Sequence, residues 1–63
     1  MLRTIDLKTE QGNVFYLVSV VKELSPKVGY NPNKIIVEII KGNKRDVHKT
    51  FKRYFSEFVN IIE

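Results

Sequence analysis

"VFYLVSVVKEL", Val14 to Leu24, is the stretch on which the fold of this 63-residue chain turns. Its valines and aromatics favour a strand, because β-branched and ring side chains pack well on a pleated surface. Yet Val14, Leu17, Val18, Val21 and Leu24, with Val28 beyond, recur at the spacing of one helix face. Asn13 stands where a helix N-cap belongs. The length of the stretch and its run into Lys22-Glu23 tip the reading toward a helix. Ser25-Pro26 is expected to end or bend it, since proline lacks the amide hydrogen and disfavours a helical residue before it. Phe15, Tyr16 and Val20 lie off the main stripe. The helix is then either central and buried on several sides, or it meets another chain.

Toward the N-terminus, "KTEQGN" is a turn cluster. Before it, Leu2 to Leu7 reads as a short edge strand, with Arg3, Ile5 and Leu7 on one face and Leu2, Thr4 and Asp6 on the other. Toward the C-terminus, "YNPNKIIVEIIKGN" is bracketed as a second helix. Asn31-Pro32 is an N-cap followed by proline at the first helical position, and Gly42 is placed as a left-handed C-cap. Ile35, Ile36, Ile39 and Ile40 form its apolar stripe. A third helix follows Asn43, with Val47, Phe51, Tyr54, Phe55 and Phe58 as the core face and Arg45, Lys49, Lys52 and Arg53 on another stripe. Local pattern leaves "EFVNIIE" open between helix and strand.

"GNVFYLV" after a short strand, "GN" before a helix, and "FKRYFSEFVNII" together resemble a group of small uncharacterised proteins of tailed bacteriophages. The group runs as a strand, Gly-Asn-Ala-Phe opening a helix, a Gly-Asp turn, and an ending similar to Phe-Gly-Asp-Tyr-Val. The resemblance covers nearly the whole chain through short motifs. It implies a helix at Val14–Leu24, a viral context, and a C-terminal strand at Glu57–Ile62 beside Leu2–Leu7, with Phe58 turned into the core. It implies no active site. Ser56 replaces the glycine usual in the group's last stretch, and the third helix is basic where the group's is mostly acidic. The expected fold is therefore α+β: a short N-terminal strand, three helices, and a C-terminal strand pairing with the first, in one domain of residues 1–63.

A chain of this length buries only about 60% of its unfolded surface, so its core is small. It has no cysteine, which excludes disulfides and thiolate metal sites. No signal-peptide core or membrane-spanning run is visible, so an intracellular location is expected, which the viral context implied by the resemblance makes the host cytoplasm. The net charge of +4 is local: Lys41, Lys44, Arg45, Lys49, Lys52 and Arg53 against Asp46 give +5 within Lys41–Arg53, leaving −1 elsewhere. Such a patch invites an acidic partner.

The chemistry for catalysis is thin. His48 is the single histidine, at the border of the apolar face, and reads as a boundary residue packed against aromatics. The carboxylates are scattered, with no acid–base pair among them. Asp46 lies in the first turn of the third helix, where negative charge is favourable. Gly12-Asn13 reads as a helix end rather than an anion site. No enzyme, cofactor or metal is expected, and none of the elements that read bases is recognisable. The expected function is that of a phage-type accessory protein. It would bind and modulate a host protein, of defence or of transcription, through Lys44, Arg45, Lys49, Lys52 and Arg53, with Tyr16 and Tyr30 as apolar anchors. Alternatives are nucleic-acid binding by the same stripe, a plain solvated face, or an oligomeric structural component, a homodimer included.

Overall fold

The computed structural model describes residues 3–63, and Lys44 by its backbone only; Leu2 lies outside the described residues. The order is β1 (Arg3–Asp6), a 3-10 turn (Glu10–Gly12), α1 (Val14–Val28), α2 (Pro32–Lys41), α3 (Lys44–Phe55) and β2 (Val59–Ile62). The architecture is α+β, as the sequence reading expected.

Local chemistry sets each helix start in the same way. The side chains of Asn13, Asn31 and Asn43 each accept from an amide in the first turn that has no intrahelical partner. Asn43 takes two, from Arg45 and Asp46. The stops differ from expectation. Pro26 does not end α1, which continues to Val28. Its ring forfeits the bond to the Lys22 carbonyl and crowds that carbonyl, and the packing of Val21, Leu24 and Val28 against the core outweighs the cost. The stop is Gly29, at φ 82°, the left-handed residue that only glycine adopts freely. Behind it the Tyr30 amide closes on the Ser25 carbonyl at 2.9 Å, as in a Schellman-type end. Gly42 is not left-handed; it is extended, with φ −77°. Its small size serves packing, since an added Cβ would stand 3.0 Å from that of Asp46.

β1 and β2 are parallel, pairing Arg3 with Val59, Thr4 with Asn60, Ile5 with Ile61 and Asp6 with Ile62. All three helices thus lie in the connection between the two paired strands. Ile5, Val59 and Ile61 share the face turned to the helices, while Thr4 and Asn60 face solvent. The strand begins at Val59 rather than Glu57, because Ser56–Phe58 is a turn closed by the Phe58 amide on the Phe55 carbonyl. Phe58 is accordingly only half-buried, and Val59 fills the core position expected of it.

Leu17, Val20, Val21 and Leu24 of α1, Ile35 and Ile39 of α2, and Val47, Phe51 and Phe55 of α3 meet Ile5, Leu7 and Val59 in one core. Val20, off the stripe by spacing, is 1% exposed. α1 is thus the central helix on that side, while Tyr16 is half-buried and Phe15 stays outside. Ile40, expected on the buried stripe of α2, is 67% exposed. Ser25 is buried and its hydroxyl finds no partner among the described residues.

Candidate partner-binding surface

α3 places its two stripes on opposite sides. Val47, Phe51 and Phe55 are buried, and the Phe51 and Phe55 rings stack with centroids 5.0 Å apart. Arg45, Lys49 and Arg53 are exposed on the far side, with Lys52 half-buried beside them. The side chain of Lys44 lies outside the described residues.

The stripe is not uniformly free. Lys52 pairs with Glu63, just past β2. Arg53 reaches Glu38 of α2 at 3.3 Å and lies 5.1 Å from the centre of the Tyr54 ring. The Tyr54 hydroxyl donates to the other oxygen of Glu38. That hydrogen bond to a carboxylate holds the phenol above its ordinary value of 10.0, with Arg53 pulling the other way. Glu38, Arg53 and Tyr54 therefore form one polar clasp between α2 and α3. Exposed pairs of this kind contribute about 0–1 kcal/mol, so a partner can recruit their cations at small cost. Arg45 and Lys49 make no ion pair among the described residues.

Of the two anchors expected from sequence, Tyr30 is engaged within the fold. Its ring meets Tyr54, Phe55 and Phe58 edge-to-face at 5.7, 5.8 and 5.9 Å. Tyr16 is half-buried, and its hydroxyl accepts from Gln11 at 3.5 Å. Neither lies on the α3 stripe. The exposed aromatic is Phe15, at 81%. Spacing had set it off the core face of α1, which was the available signal for it.

His48 does pack at the border, and its role is specific. Nε2 donates to the Gly12 carbonyl at 2.8 Å, tying α3 to the turn before α1. Gly12 is confined there: a Cβ would fall 2.2 Å from the Leu7 carbonyl oxygen and 3.2 Å from the His48 ring. Asp46 sits in the first turn of α3 as expected.

Two open grooves adjoin the stripe. One, of about 640 Å³, runs along Glu38, Lys41, Asp46, Lys49, Thr50 and Arg53. The other, of about 490 Å³, is apolar and lies among Val14, Phe15, Val18, Ile39, Ile40 and Val47. Gly42 lines both. Among the described residues no three His, Asp or Glu side chains converge as a metal site would need, and no helix is long and apolar enough to cross a membrane. Compared with protein-family models, curated proteins and solved structures, the chain matches none.

Proposed function

We propose that this chain is a non-catalytic binding protein that holds an acidic protein partner on the outer face of α3. In the phage-type setting that the sequence resembles, the partner is a host protein whose activity is masked or modulated. The observation that carries this reading is the division of α3: Arg45, Lys49 and Arg53 are exposed on one side while Phe51 and Phe55 are buried on the other. Binding to single-stranded nucleic acid commonly sets aromatic rings beside the cations to stack on bases. Here the rings of α3 are committed to the core and to Tyr30, which favours a protein partner over a nucleic acid. Arg45 and Lys49 contribute most, being unpaired among the described residues, and Lys52 and Arg53 join by exchanging Glu63 and Glu38 for the partner's carboxylates.

The test is retention from host-cell lysate on the purified protein, with and without nuclease, beside an Arg45→Glu/Lys49→Glu variant. Both positions are exposed, so the variant keeps its fold. One protein held by the wild type in both samples, and reduced about tenfold or more on the variant, is the expected result. Retention that vanishes after nuclease would instead assign the face to nucleic acid. Equal retention by the variant would remove the face from binding.

A further inference from the structure

The apolar groove beside the basic stripe is the feature that packing within the chain does not explain. Phe15, 81% exposed in the first turn of α1, and Ile40, 67% exposed in the last turn of α2, both line it. Its remaining walls are Val14, Val18, Ile39 and Val47. Two large apolar side chains held in water along one apolar groove are a surface kept for contact rather than for stability.

The surroundings select the occupant. Gly42, without a side chain to form a barrier, joins the apolar groove to the cleft lined by Lys41, Lys49 and Arg53. Glu38 and Asp46 also line that cleft. Glu38 is already held by Arg53 and Tyr54, which leaves Lys41 and Lys49 of the cleft against the one acid Asp46. A second copy of the chain, with its net charge of +4, would bring this basic rim against another like it. The groove lies between helices, away from the β1–β2 ladder, so an added strand would find no edge to pair with there. An amphipathic helix is the element that fills an apolar groove through anchors at helical spacing.

We infer that this composite surface takes an acidic amphipathic helix of a protein partner, its apolar residues seated against Phe15 and Ile40 and its carboxylates set against Lys41 and Lys49. This rests on the binding function proposed above and adds the shape and chemistry of what binds.

The probe is a fluorescent peptide of about 18 residues, long enough to hold a helix. It carries leucines at i, i+3, i+4 and i+7 and glutamates on the flanking positions. A second peptide has lysines in place of the glutamates. Anisotropy titrations compare the wild type with Phe15→Ser, Ile40→Ser and Arg45→Glu/Lys49→Glu, whose folds are checked by circular dichroism. The glutamate peptide is expected to bind the wild type and the lysine peptide to fail. Each variant should lose about tenfold in affinity. If the lysine peptide binds equally, the charge assignment is wrong and the inference falls. Loss in Arg45→Glu/Lys49→Glu but not in Phe15→Ser or Ile40→Ser would leave the basic face standing and overturn the groove. The reverse pattern would remove the basic face and, with it, the acidic occupant. Sedimentation showing a dimer that Phe15→Ser dissociates would make a second copy the occupant, which also overturns the inference.

Discussion

At the scale of single residues, Tyr54 is where geometry and titration meet. Its hydroxyl donates to Glu38, and a carboxylate acceptor makes the proton harder to remove. Since the folded-state value lies above the unfolded one, the associated stabilisation is complete below pH 10.0 and is lost as pH rises through the raised value. An ultraviolet phenolate titration, with Tyr54→Phe assigning the signal, should show this phenol retaining its proton past pH 10.0. Glu38→Gln should move it back toward the ordinary value, because the amide carries no charge. A Tyr54 titration that Glu38→Gln leaves unmoved would show that the clasp between α2 and α3 is not formed in solution. The Arg53 and Lys52 pairings were not legible in the sequence for a simple reason. Their partners, Glu38 and Glu63, lie 15 and 11 positions away, beyond the three or four positions over which side chains on one helix touch.

Among the elements, α1 tests what ends a helix. Pro26 sits inside it, and Gly29 rather than the proline supplies the stop. Pro26→Ala restores an amide to face the Lys22 carbonyl and should raise stability by about 1 kcal/mol, partly offset by a looser unfolded chain. Gly29→Ala should lower it by about 1 kcal/mol, because the added Cβ meets no neighbour but φ stays positive. Urea midpoints with unchanged slopes would measure both. Shifts of the opposite sign would return the stop to the proline. The three asparagine caps were legible because capping is decided within three residues. The fate of Ile40 was not. With Ile35, Ile36, Ile39 and Ile40 all apolar, sequence alone cannot say which flank of the stripe finds a neighbour. Proline was over-read because its cost, one lost bond and a ring crowding the Lys22 carbonyl, is visible in sequence, while the packing of Val21, Leu24 and Val28 that outweighs it is not.

For the whole molecule, the core is one cluster shared by every helix and both strands, and its radius of gyration is 10.4 Å. The expectation for a compact chain of this length is about 10.6 Å. Phe51 is fully buried at its centre. Phe51→Ala should cost about 3–5 kcal/mol, most of what so small a domain possesses. The variant should therefore show broad, non-cooperative thermal melts where the wild type melts sharply. A cooperative melt with little change in midpoint would mean that the core closes over the void. The parallel ladder has a mechanical consequence of its own. Tension applied to the two chain ends draws β1 toward its start and β2 toward its finish, in opposite senses along one axis. Every rung from Arg3–Val59 to Asp6–Ile62 is then loaded in shear at once instead of opening singly, as in a zipper. A pull transmitted through the chain flanking β1 and β2 thus meets the ladder along its strongest direction.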